Sequence, residues 1–319
     1  MAPPRLDFKR RFNSCSSATQ ILQDEIVEGK TVLITGGSSG IGVATVEAFA
    51  NKAAHVIFTG RNVQSANDLI QKIKVTTPHA KVHFMPVDLL SLKDVRRFAE
   101  EFTNHHGTLD IVIFNAGMFG GSHVITEDGY EAAFQVNVLS QLYLLGFLKP
   151  LILKATGPRI IFVSSDWLKQ TTISLSNLSE EVLSPSANSY PWRQYANSKF
   201  CQVLLSQYIQ THWGSLGVNS YSLHPGNLIA TNVVRQWRLG QALAWLFKPF
   251  TKTLDQGAAT TVYCAAAAEL ADHGGEYWAD CWIAESFHGK QPKLAEAVWN
   301  LCEKMISAKV PDDYTRTSS

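Results

Sequence analysis

From Lys30 onward, short apolar runs alternate with longer stretches in which apolar residues recur every three or four positions. TVLIT (31–35), HVIFTG (55–60), KVHFMPV (81–87), LDIVIF (109–114), RIIFVSS (159–165), GVNSYSLH (217–224) and GEYWAD (275–280) read as strands. Most are continuous runs rich in Val, Ile and Phe rather than polar/apolar alternations, the pattern of strands covered on both faces in a parallel sheet. Between them, segments such as VATVEAFANK and LKDVRRFAEEF carry an apolar stripe at helical period. The alternation predicts an α/β fold: a Rossmann-type, doubly wound parallel sheet of about seven strands in a single domain, residues 29–309.

Several stretches stand outside that alternation. Residues 1–28 are expected to form a flexible leader: the first twenty are basic and Ser-containing but include Asp7 and lack an apolar signal core, with organelle targeting left open. An insertion runs from Asp166 to Arg193, and a polar tail occupies 310–319. The segment 227–252 contains Trp237, Leu239, Leu243, Trp245, Leu246, Phe247 and Phe250. It reads either as ordinary core or as a lid over a lipophilic ligand, in which case Trp237 and Trp245 are substrate contacts.

Composition narrows the partners. Hydrophobic residues at 45% and charged ones at 17% of 319 residues describe a folded, well-cored chain. Twenty-eight Lys and Arg against 27 Asp and Glu leave a net charge of +1, which gives no summed pull toward nucleic acid or an anionic membrane. The expected partner is a small molecule; homo-oligomerisation stays open. Five cysteines without a CxxC pair fit a reducing compartment, so the cytoplasm is expected, with mitochondrial or peripheral-membrane association open. Ten histidines include no HExxH, and no metal site is expected. No run of about 18 apolar residues occurs, so no membrane span is expected.

Candidate chemistry begins after the first strand, where TGGSSGIG places Gly36, Gly40 and Gly42 at the opening of a helix, with Ser38, Ser39 and Ile41 between and beside them. Glycines there let the backbone approach an anion, while the helix offers unpaired N–H groups and its positive dipole end to a pyrophosphate. The second strand ends Thr59, Gly60, Arg61, without the acid that would accept from a ribose 2′-hydroxyl. Arg61 can instead pair with a 2′-phosphate, which favours NADP(H), with NAD(H) still allowed; the plainer alternative is a solvated charge at a helix start.

TGGSSGIG, VDLL (87–90), FNAG (114–117), FQVN (134–137), VSS (163–165), YANSK (195–199) and HPGN (224–227) occur in that order. Together they resemble the short-chain dehydrogenase/reductase family, and SATQILQ, KPFTKT, QGAATTVYCAA and AEAVWNLCEKMI are similar to its retinol-dehydrogenase-like branch. The resemblance implies a catalytic set of Asn137, Ser165, Tyr195 and Lys199. It implies cofactor contacts at Asp88 and the adjoining Leu89, at Asn115, Ala116 and Gly117, and at Pro225 and Gly226. Asp166 and Trp167 depart from the small residue and histidine that often follow the VSS of relatives, which bears on the substrate.

The residues fit that implication. Tyr195 and Lys199 are i and i+4 on a helix, so the ammonium is expected near the phenol, favouring phenolate and making Tyr195 a general acid/base. Lys199 is expected to hold the nicotinamide ribose, Ser165 to steady the developing alkoxide, and Asn137 to hold a water that links Lys199 to solvent. Tyr190 precedes Pro191 and belongs to the loop entering the helix, a candidate substrate contact. The implied activity is alcohol/carbonyl interconversion on a lipophilic, retinoid- or steroid-like molecule. The alternative is a weakly active or inactive cofactor-binding scaffold or signalling protein.

Overall fold

The computed structural model describes residues 8–119, 122–187, 190–226, 252–284 and 289–310. The strands are β1 (Thr31–Ile34), β2 (His55–Gly60), β3 (Lys81–Pro86), β4 (Ile111–Phe114), β5 (Arg159–Val163), β6 (Asn219–His224), β7 (Tyr277–Ala279) and β8 (Trp282–Ile283). The helices are α1 (Ala18–Ile21), α2 (Ile41–Ala50), α3 (Val63–Thr76), α4 (Leu92–His105), α5 (Ala132–Phe134), α6 (Ser140–Ile152), α7 (Glu180–Leu183), α8 (Pro191–Trp213), α9 (Leu254–Ala266) and α10 (Pro292–Ser307). A π turn, Gln135–Leu139, joins α5 to α6.

One sheet runs in the order β3-β2-β1-β4-β5-β6-β7-β8. Each pair is parallel except β7 with β8. The apolar runs divide by parity, because successive side chains leave opposite faces of a strand. Val32, Ile34, Ile111, Ile113, Ile161 and Val163 pack with α1, α2, α3 and α9, whereas Leu33, Val112, Phe114, Ile160 and Phe162 pack with α4, α6, α8 and α10. Two apolar layers are what make the strand pattern continuous.

All seven expected strands form, and β8 adds an eighth. Trp282 and Ile283 pair back on Ala279 and Trp278 through a two-residue turn, Asp280-Cys281, in which both φ angles are positive (51° and 56°). That geometry ordinarily draws Asn-Gly or Asp-Gly, so the sequence carries no turn signal here.

The expected flexible leader does not describe residues 8–28. Ser17 and Gln20 form a capping box on α1, and Ala18, Ile21, Leu22 and Val27 are buried. Phe8 and Phe12 pack on the same apolar layer. Arg11 pairs with Asp24, Glu25 and Glu269, tying the segment to the turn after α9. The physical reason is area: α1 covers small residues of α2 and α9 that would otherwise face water.

The strand order reverses between β1 and β4. At such a point the loops beyond the carboxyl ends of the strands part and leave a crevice, and the candidate residues of the loops after β1, β4, β5 and β6 lie there.

Candidate active site

The loop after β1 is shaped by close backbone approach. Gly36 has φ +66°, and a Cβ there would lie 2.9 Å from the Ala116 Cα. A Cβ on Gly42 would lie 2.2 Å from the Gly36 carbonyl oxygen. Gly40, at φ +56°, is the N-cap of α2, and no side chain caps that helix. Backbone amides and a dipole end are thus presented with no side chain filling the turn, the donor set that suits a pyrophosphate. Asn115 fixes the neighbouring loop by donating from Nδ2 to the carbonyls of Thr35 (2.9 Å) and Gly36 (3.1 Å), and the Ala116 amide donates to Thr35 Oγ1 at 3.0 Å.

Around this cradle stand the other expected contacts. Gly60 lets the chain pass against Ser38, whose Oγ would lie 2.2 Å from a Cβ at that position. Ser39 and Arg61 are exposed, and Arg61 makes no ion pair among the described residues. Asp88 accepts from the Leu90 amide at 3.1 Å, while the Leu89 carbonyl accepts from Ser140 Oγ at 2.6 Å. Pro225 and Gly226 follow β6, with Gly226 at φ +112°. These residues fit a dinucleotide: a cradle of backbone amides, with the cation Arg61 and the acid Asp88 in the loops that follow the neighbouring strands β2 and β3.

Helix α8 carries Tyr195 and Lys199. Pro191 at its first turn and Tyr190 as N-cap, with extended φ −72° and ψ 117°, set where it starts. Tyr195 lies beside Ser165, which itself accepts from the Trp167 amide at 3.4 Å. Burial pushes the Tyr195 phenol up, and its hydrogen bond with Ser165 opposes that. The Lys199 ammonium sits 5.6 Å from the Tyr195 ring centre and donates to the Val163 carbonyl (2.8 Å) and to Gln202 Oε1 (3.1 Å). Burial alone draws Lys199 down to about 7. The lysine is therefore turned toward the sheet end and Gln202 rather than directly onto the phenol.

Asn137 lies in the π turn, a distortion that breaks the ordinary helical ladder and often marks a working site. Its Oδ1 accepts from the Met118 amide at 2.7 Å, and its Nδ2 donates to the Met118 carbonyl (3.0 Å) and Ser198 Oγ (2.9 Å). Its backbone carbonyl accepts from Gln202 Nε2 at 3.0 Å. Gln202 thus bridges the Asn137 carbonyl and the Lys199 ammonium.

The residues match known proteins at this point. A family model described as short chain dehydrogenase matches residues 30–178. WW domain-containing oxidoreductase of Gallus gallus is 40% identical over 309 residues, covering 95% of this chain and 74% of that protein. Retinol dehydrogenase 12 of Mus musculus is 33% identical over 282 residues, covering 87% of this chain and 86% of that protein. Among solved structures, an Escherichia coli short chain dehydrogenase complexed with NADPH shares the fold at TM-score 0.62 and 22% identity, covering 80% of this chain and 97% of that one. The chain belongs to the short-chain dehydrogenase/reductase family.

As a member of that family it is a nicotinamide-dependent dehydrogenase/reductase of alcohol and carbonyl groups. The structure of this dehydrogenase/reductase brings Asn137, Ser165, Tyr195 and Lys199 to one crevice with the glycine loop. It does not bring Tyr190 to the phenol: that ring is 64% exposed and lies against Trp192 and Arg193 on the outer surface. Trp237 and Trp245, with the rest of the expected lid, fall outside the described residues. Phe119 and Trp167 were not singled out as contacts, yet Phe119 lies 5.0 Å and Trp167 6.4 Å from the Tyr195 ring, with 5.9 Å between them. Trp167 directly follows the VSS motif and Phe119 follows FNAG, so proximity to those motifs was the available signal. Among the described residues no group of His, Cys, Asp or Glu could hold a metal ion, and no helix is long and apolar enough to cross a membrane.

Proposed function

We propose that the protein is an NADP(H)-dependent oxidoreductase that interconverts a lipophilic alcohol and its carbonyl, with Tyr195 as general acid in reduction and general base in oxidation. The observation that carries this reading is the Tyr195 phenol hydrogen-bonded to Ser165 one helical turn from a buried lysine, beside the glycine loop. A nicotinamide held on that loop would supply or accept the hydride. The chain's own groups do the rest. Tyr195 Oη moves the proton, Ser165 Oγ steadies charge on the substrate oxygen, and the lysine, with two of its three N–H donors committed, has one left for a ribose hydroxyl.

The preference for the phosphorylated cofactor rests on exposed Arg61 and on the absence of an acid at the end of β2; the NADPH of the Escherichia coli relative agrees with it. NAD(H) is then a weaker ligand. The lipophilic substrate rests on Phe119 and Trp167 about the phenol and on the name of the retinol dehydrogenase relative. The folded unit is read as ending near residue 309, and Trp237 and Trp245 of the segment 227–252 are read as substrate contacts. Tyr195→Phe assayed on a panel of retinoid and steroid aldehydes and ketones tests the reading. Binding of NADPH by the unsubstituted protein with no turnover on any of them would favour the scaffold alternative.

A further inference from the structure

Gln202 lies one turn beyond Lys199 on α8 and is fully buried, as are Gln141 on α6 and Asn137 in the π turn. The Ala116 carbonyl, in the loop after β4, accepts from Gln141 Nε2 at 2.7 Å. That bond turns Gln141 Oε1 inward, where it accepts from Gln202 Nε2 at 3.0 Å. The second Gln202 Nε2 proton goes to the Asn137 carbonyl, also at 3.0 Å. Only Gln202 Oε1 then remains, and it faces the Lys199 ammonium at 3.1 Å.

The direction of this chain is not free. Two of its ends are backbone carbonyls, which can only accept, so each amide must turn its nitrogen toward them. Reversing Gln202 would set its oxygen against the Asn137 carbonyl and Gln141 Oε1 and leave its nitrogen against a cation. The lysine is thus offered an acceptor whose orientation is set by the same loop, 115–117, that borders the cofactor crevice. Gly117 belongs to that arrangement, since a Cβ there would come within 3.0 Å of Lys199 Nζ.

We propose that Gln202 is a positioning residue for Lys199: it holds the ammonium by a fixed acceptor, occupies the route between the lysine and the Asn137 carbonyl, and so favours the charged lysine. This rests on the reading of Lys199 as a cofactor-holding residue. Titratable groups on the surrounding elements are Tyr195 on α8 itself, Asp166 beyond β5, His224 at the end of β6 and Tyr277 on β7. Burial draws Lys199 down, and the hydrogen bond to Gln202 Oε1 opposes that by stabilising the charged form. An acceptor or a charge at position 202 is therefore the direct means of moving it.

The test is the dissociation constant of NADPH, followed by its fluorescence between pH 5 and 10; the phosphate titration near ~6, which strengthens binding as pH rises, is common to every variant. It compares the full chain with Gln202→Leu, Gln202→Glu and Lys199→Met. Both Gln202 variants remove the donors to Asn137 and Gln141, so their folding losses are shared and checked by circular dichroism. They differ in what faces the ammonium. Affinity should fall as Lys199 loses its proton. That fall should move about one unit lower in Gln202→Leu and about one unit or more higher in Gln202→Glu, because a carboxylate at this range stabilises the cation. A fall at the same pH in both variants, or shifted the same way in both, overturns the proposal. A fall that persists in Lys199→Met overturns instead the reading that Lys199 meets the cofactor.

Discussion

Lys199 is 3% exposed, and burial holds it at about 7, well below its ordinary 10.5. The unfolded chain therefore binds this proton more tightly than the folded one. The folding penalty is fully present below about 7 and is relieved as pH climbs toward 10.5. Each unit is worth about 1.4 kcal/mol. Lys199→Met should accordingly raise the melting temperature of the cofactor-free protein at pH 7, and the margin should shrink by pH 10; an equal margin at both would mean an ordinary lysine. At this scale the site was partly legible in the sequence. Tyr195 and Lys199 announce themselves by the i, i+4 spacing, and Ser165 by its place at a strand end. Gln202 does not, because a glutamine one turn past a lysine resembles any polar helix position until α6 is seen to pack across it. Trp167 stood out only as a departure after the VSS motif and Phe119 not at all, since nothing in a linear pattern shows two loops closing on one ring.

Among the elements, the strands were legible because burial on both faces leaves a run of Val, Ile and Phe that no surface strand would carry. The antiparallel β8 was not, because its turn uses Asp280 and Cys281 in a conformation that the sequence does not advertise. Residues 8–28 were misread for a related reason: α1 spans only Ala18–Ile21, too short for a periodic signal. Its contribution comes from packing rather than propensity. Ile21 is fully buried against this layer, so Ile21→Ala should cost about 2–5 kcal/mol in urea unfolding. A cost below about 1 kcal/mol would mean that the segment rests on the sheet without stabilising it.

For the whole molecule, the reversal of strand order between β1 and β4 gathers the glycine loop, the Asn115 loop, Ser165 and the first turns of α8 at the carboxyl ends of the strands. Cofactor choice is the property most exposed to a single change there. Arg61→Ala should weaken NADPH by roughly ten- to a hundredfold, the worth of a charge-assisted phosphate contact, and leave NADH nearly unchanged. Equal losses for both cofactors would remove Arg61 from the site. The central claim is that this crevice performs proton transfer through one phenol. The most direct measurement is the turnover of Tyr195→Phe on a substrate accepted by the unsubstituted protein, taken together with its NADPH affinity. Phenylalanine keeps the ring that packs between Phe119 and Trp167 and removes only the hydroxyl. The account predicts NADPH affinity within about twofold and turnover lower by roughly 10²–10⁴. Turnover within a few-fold of the unsubstituted protein would contradict it.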